Sequence, residues 1–172
     1  LYNITGDARF IDIAFPALVK WIVYCEAHSE NDLPARSEES WQLGDWLSPE
    51  VCAFDLSLMN ACWYYYSVAA AERFAKIKGE TELNKKFAEQ KKKIAAAINE
   101  KYLDRERAIY GSGVQGENIF PLYLGIVPEA VKEKLIRGVR ASYEKSDYAI
   151  DTGIVITGLL FKTLADNDMA DV

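Results

Sequence analysis

Two kinds of helix alternate along this chain, one amphipathic and one apolar on nearly every face. Thr81 to Tyr102 is amphipathic: Leu83, Phe87, Ile94 and Ile98 fall at helical spacing, and Lys85, Lys86, Glu89 and Lys91 to Lys93 occupy other positions. Pro128 to Ser146 opens with proline in its first turn and then sets Val131, Leu135, Val139 and Tyr143 four apart. Ala8 to His28 is a third such segment, which Pro16 is expected to break or kink into two. Between these lie Phe54 to Lys78, Asn118 to Val127 and Thr152 to Ala165. The first holds Leu56, Leu58, Met59, Trp63 to Tyr66 and Ala69 to Ala71, and the last holds Ile154 to Ile156 and Leu159 to Phe161. A helix apolar on most faces is surrounded by protein. The best strand candidate, Ile154 to Thr157, is too short to compete with this pattern.

The connections alternate as well. Turns from an apolar to an amphipathic helix are tight: Thr5-Gly6-Asp7, Lys78-Gly79-Glu80, Val127-Pro128 and Asn167-Asp168. The return connections are long, roughly Ser29 to Ala53 and Leu103 to Glu117, with a shorter third at Asp147 to Asp151. This is a weak internal repeat of helical hairpins. One buried and one half-exposed layer describe an all-α fold of the (α/α)6 toroid type, of which about three hairpins are present. Leu1 to Gly6 reads as a helix tail with Gly6 able to take the left-handed terminal conformation, and Asp7 as the next cap. Asp166 to Asp168 reads as a turn and cap, with Met169 to Val172 opening another helix. The expectation is therefore that residues 1–172 are a fragment of one catalytic domain, with the remainder of that domain as partner.

Composition excludes several functions. The net charge is −6 and no basic stripe exists to neutralise phosphates, which speaks against nucleic acid. No run of about 18 uncharged apolar residues is present to span a membrane. One His and three separated cysteines, Cys25, Cys52 and Cys62, do not make a zinc cage of the usual ligands, and they fix no compartment.

The long loops lead into the N-termini of the apolar helices, where free N–H groups and a positive dipole end suit hydroxyl-rich or anionic ligands. The first loop carries Glu38-Glu39-Ser40-Trp41-Gln42-Leu43-Gly44-Asp45-Trp46-Leu47. A carboxylate can accept sugar hydroxyls and an indole can pack on the C–H face of a sugar ring. Equally, Asp45 caps a turn and Trp46 fills a gap. In the second loop, Gly111 to Asn118, three glycines let the backbone approach something closely. It is not a phosphate loop, because it lacks the Lys-Ser/Thr and the preceding strand, and the blander reading is a flexible turn with Asn or Glu near a helix start. In the third, Asp151 or Thr152 is a natural helix cap. Tyr64 to Tyr66 read as core, His28 as a helix-end residue and Lys91 to Lys93 as a solvated face.

Taken together, Thr5-Gly6-Asp7, Gly44-Asp45-Trp46-Leu47, the apolar helix ending at Gly79, Gln115, Leu124-Gly125-Ile126-Val127-Pro128-Glu129 and Asp151-Thr152-Gly153-Ile154 resemble the middle of an α-L-rhamnosidase catalytic domain, glycoside hydrolase family 78. The resemblance implies an (α/α)6 barrel that hydrolyses terminal α-L-rhamnose with inversion and uses no organic cofactor. It implies that Trp46 lines the rhamnose pocket beside Asp45, and that Gln115, Asp151 and Thr152 sit at the barrel mouth. Another six-hairpin glycosidase or lyase shares the layers, and a non-catalytic helical interaction protein is the alternative of a different class.

The chain also departs from the family pattern. The family's general acid is a Glu followed by Gly-Trp and its base a Glu that follows Trp, and neither pairing occurs here. The third loop reads Ile154-Val155-Ile156-Thr157-Gly158, where the family usually has Gly soon after the Ile. Inversion needs two carboxyl groups about 6.5–9.5 Å apart. Glu38, Glu39, Asp45, Glu117 and Asp151 offer themselves, but no pair stands out. The expected catalytic residues within the chain are thus none, and the chain alone is expected to be inactive.

Overall fold

A computed structural model describes residues 2–35, 44–48 and 54–172. Seven helices appear among them: α1 (Tyr2–Thr5), α2 (Arg9–Ala27), α3 (Leu56–Lys78), α4 (Thr81–Tyr102), α5 (Gln115–Leu124), α6 (Glu129–Lys145) and α7 (Ile154–Asp166). Two-residue ladders close two of the connections: β1 (Ser29–Glu30) pairs antiparallel with β2 (Leu33–Pro34), and β3 (Leu103–Asp104) with β4 (Ile109–Tyr110). Asn31 and Asp32 both take positive φ between β1 and β2, the geometry of a two-residue hairpin turn. The chain divides into two compact units, Leu1–Ala35 with Trp63–Ala97 and Arg36–Cys62 with Ile98–Val172.

In the first unit, α2 buries Ile11, Phe15, Ile22 and Cys25, and Tyr64, Val68, Phe87 and Ile94 are buried on α3 and α4. Desolvation pushes the Cys25 thiol up to about 11. Tyr64, the one fully buried member of its tyrosine run, accepts the Gln90 amide at 2.7 Å. Lys91 pairs with Glu72 and Lys92 with Glu89, so the expected solvated face is partly an ion-pair ladder. Asp7 accepts the Arg9 N–H at 3.0 Å, and the neighbouring guanidinium holds its carboxyl below the usual range.

Contrary to expectation, Pro16 does not divide α2. The proline removes one N–H, and its would-be acceptor is the carbonyl of Asp12, four residues back. Both residues lie on the exposed side, where water replaces the lost bond at little cost.

In the second unit, α5 is enclosed along most of its length. Every residue from Gln115 to Leu122 on α5 is buried, and α5 packs chiefly against α7. It starts three residues before the predicted Asn118, and Gly116 lies inside it, where a Cβ would stand 2.8 Å from the Phe54 ring. Helix α6 buries Val131, Leu135, Val139 and Tyr143, the four predicted positions. Helix α7, expected to be surrounded, buries Ile156, Leu160, Thr163 and Leu164 but exposes Ile154 and Phe161. No helix forms over Met169 to Val172. Instead Asp168 takes positive φ, and the Met169 N–H returns to the Leu164 carbonyl at 2.9 Å with the Met169 side chain buried. Among the described residues no helix is long and apolar enough to cross a membrane.

Candidate functional site

The second unit brings together the N-termini of α3, α5 and α7, and each has a carboxylate bound to backbone N–H groups. Asp55 stands just before α3, where its Oδ1 accepts from Ser57 N at 2.7 Å and Leu58 N at 3.2 Å. This is ordinary N-capping geometry. The sequence carried that signal, an Asp directly before an apolar run, but a helix predicted from Phe54 absorbed it.

Glu117 organises the loop before α5. It is 1% exposed. Its Oε2 accepts from Ser112 N (2.7 Å), Ser112 Oγ (2.9 Å) and Gly113 N (3.1 Å), while Oε1 accepts from Asp55 N at 2.9 Å. Asn118 continues the network: Oδ1 accepts from Tyr110 N at 2.9 Å and Nδ2 donates to the Gly113 carbonyl at 3.1 Å. The Tyr110 hydroxyl reaches Asn99, whose amide donates to the Ile126 carbonyl at 2.8 Å. The predicted flexible turn is therefore a polar scaffold, anchored at one end by the β3–β4 ladder.

The cap of α7 comes from far along the chain. Neither Asp151 nor Thr152 caps it, as the sequence suggested; the cap position is Gly153, which has no side chain to offer. Asp45 does so instead. Its Oδ2 accepts from Gly153 N at 2.6 Å and its Oδ1 from Ile156 N at 3.1 Å, and the side chain is buried. The Trp46 carbonyl accepts from Ile154 N at 2.8 Å. Thr152 turns its hydroxyl to Thr157 at 2.7 Å.

Gln115 joins the second loop to the third. Its Nε2 donates to the Ala149 carbonyl at 2.9 Å and its Oε1 accepts from Asp151 N at 3.1 Å. Asp151 is half-buried, and its charge adds to the burial that pushes the Tyr143 phenol up.

The five predicted residues thus fall into one cluster with different exposures. Asp45, Gln115 and Thr152 are buried, Asp151 is half-buried and the Trp46 side chain is 57% exposed. Trp46 does not fill a gap among the described residues. Near the cluster the large apolar and aromatic side chains that stand exposed are Trp46, Leu47, Tyr148, Ile150 and Ile154, with the exposed polar Ser146 and Asp147 preceding Tyr148. Because α3 and α7 already hold carboxylates at their positive ends, the arrangement favours a neutral hydroxyl-rich ligand over an anion. Glu38 and Glu39 lie outside the described residues.

The model for the bacterial alpha-L-rhamnosidase 6 hairpin glycosidase domain matches residues 1–172. The chain belongs to this family. Its all-α class and six-hairpin type are those expected from the alternating helices. An alpha-L-rhamnosidase of Alteromonas sp. (strain LOR) is 24% identical over 182 residues, which cover all of this chain and 19% of that protein. One of Streptomyces avermitilis is 27% identical over 177 residues, again all of this chain and 16% of the relative. The chain therefore spans less than a fifth of these curated relatives.

Solved structures agree on the fold. The Streptomyces avermitilis alpha-L-rhamnosidase complexed with L-rhamnose matches with a TM-score of 0.86 at 24% identity, over 99% of this chain and 16% of that one. The alpha-L-rhamnosidase from Dictyoglumus thermophilum gives 0.85 at 25% identity, over 96% and 19%.

Proposed function

We propose that this chain is part of the catalytic domain of an inverting glycoside hydrolase that removes terminal α-L-rhamnose from glycosides or polysaccharides. Its share is the loops that line the sugar pocket, with Trp46, Asp45, Gln115, Asp151 and Thr152 as their site residues. The family match over all 172 residues carries this reading. Support comes from the exposed indole of Trp46 beside apolar neighbours, a surface suited to the C–H face of a neutral sugar.

The reacting carboxyl pair is assigned to the remainder of the parent domain. Asp45 and Glu117 commit both oxygens to backbone N–H groups, so moving either into acid–base work would leave donors unpaired, and Asp55 spends its Oδ1 on the first turn of α3. No organic cofactor takes part in the proposed hydrolysis, since one carboxyl protonates the leaving oxygen and the other activates water.

The test is the full-length parent protein on an aryl α-L-rhamnoside, with the anomer of the released sugar followed by NMR from the first minutes. Release of rhamnose with inverted configuration is the expected result. Cleavage of a different aryl glycoside instead would identify another six-hairpin glycosidase, and no cleavage of any would favour a non-catalytic role. Residues 1–172 alone are expected to release nothing.

A further inference from the structure

The geometry points to Asp45 as a positioning residue that holds the Trp46 indole in place through the first turn of α7, without touching the sugar itself. This rests on the reading of Trp46 as a pocket residue of a rhamnosidase. Three N–H groups at the start of α7, those of Gly153, Ile154 and Ile156, are all taken by residues 45 and 46. The carboxylate of Asp45 takes the first and third, and the Trp46 carbonyl takes the second. Ser48 N donates to the Asp45 carbonyl at 3.2 Å and closes the turn, with Leu47 at φ 64°. The backbone on either side of the indole is thereby fixed to one helix end while the indole itself stays exposed.

Gly153 completes this seat. A Cβ at 153 would overlap the carbonyl oxygens of both Asp45 and Trp46. The fit is backbone against backbone, and no flexible side chain can yield to relieve it. Asp45 itself is poorly suited to a sugar hydroxyl. Both of its oxygens already serve the helix end and the side chain is buried, so a hydroxyl is reached only by turning an oxygen outward, which would leave a buried N–H unpaired at a cost comparable to a full desolvation penalty. An indole displaced by about 1 Å can cost a reaction roughly 100-fold, which makes the seat consequential for catalysis.

The test uses the full-length protein, with hydrolysis of an aryl α-L-rhamnoside measured for D45A, W46A, the double variant and G153A. D45A is expected to lower kcat/KM by about 10-fold to 100-fold, mostly through KM, because the indole contributes binding. The double variant should be no worse than W46A alone. G153A keeps the carboxylate but removes the space, and should reproduce D45A. D45N, which retains one acceptor oxygen, should recover part of the loss.

A second readout does not depend on turnover. With 5-fluorotryptophan incorporated and the Trp46 resonance assigned through W46F, D45A and G153A should shift or broaden that resonance and leave the other tryptophans unchanged. Losses that multiply in the double variant would mean that Asp45 contacts the sugar and would overturn the inference, as would an unmoved Trp46 resonance in D45A. Absence of rhamnosidase activity in the unaltered protein would instead overturn the functional reading, and the fluorine signal would still decide the role of Asp45.

Discussion

The loops that enter α5 and α7 pose the same question, which is what holds their backbone N–H groups. At α5 the answer is mostly local: Glu117 in the first turn reaches back four and five residues to Gly113 and Ser112, and Asn118 reaches Gly113 and Tyr110. At α7 the answer is remote, because Asp45 arrives from 108 positions earlier. A locally built terminus holds its own loop in shape. A remotely built one makes two distant stretches, 44–48 and 153–156, a single mechanical piece.

Hydrogen exchange on the full-length protein can break or sharpen this contrast. The largest effect is expected from Glu117→Ala, which strands the N–H groups of Asp55, Ser112 and Gly113 and should lower the opening free energy of 111–118 by about 3 kcal/mol. Equal loosening of 153–156 in that variant would show that the two termini are not separately built. Gly153→Ala should cost about 2 kcal/mol by overpacking, felt at 45–48 and 153–156 and not within Gln115–Leu124. Asp45→Ala should cost about 1 kcal/mol, a cap-sized loss confined to the same two stretches. Protection lost at 153–156 but not at 44–48 would mean that the turn stands without its helix. The smallest effect belongs to Gln115→Ala, under about 1 kcal/mol, seen as faster exchange at Asp151 while α5 keeps its protection.

The same contrast explains how much of the molecule was legible in its sequence. Helical periodicity located α4 to its ends and named the buried face of α6, because those signals lie within a few turns. The five site residues do gather, but two of them do not do the capping expected of them. Asp151 and Thr152 sit where a local cap belongs, yet the cap comes from Asp45, and no spacing rule links residues 108 apart. The loop before α5 is a different case. Glycines at 111, 113 and 116 suit either close approach or a flexible turn, and close approach is what the structure shows: Gly116 is inside the helix against Phe54, and Ser112 and Gly113 are fastened by Glu117. A glycine can signal close approach as readily as freedom, and only its neighbours in space distinguish the two. Pro16 failed as a breaker for the complementary reason: its lost bond falls on an exposed side.

The distance between Asp45 and Gly153 also has a meaning in time. A ribosome adding about 5–20 residues per second exposes Asp45 some 5–20 s before the amide it binds exists. Glu117, by contrast, emerges just after Ser112 and Gly113, so the loop before α5 can close almost as soon as it is made. During translation the Trp46 turn is therefore among the last pieces of this chain to settle, and a nascent chain halted before residue 153 carries its indole unseated.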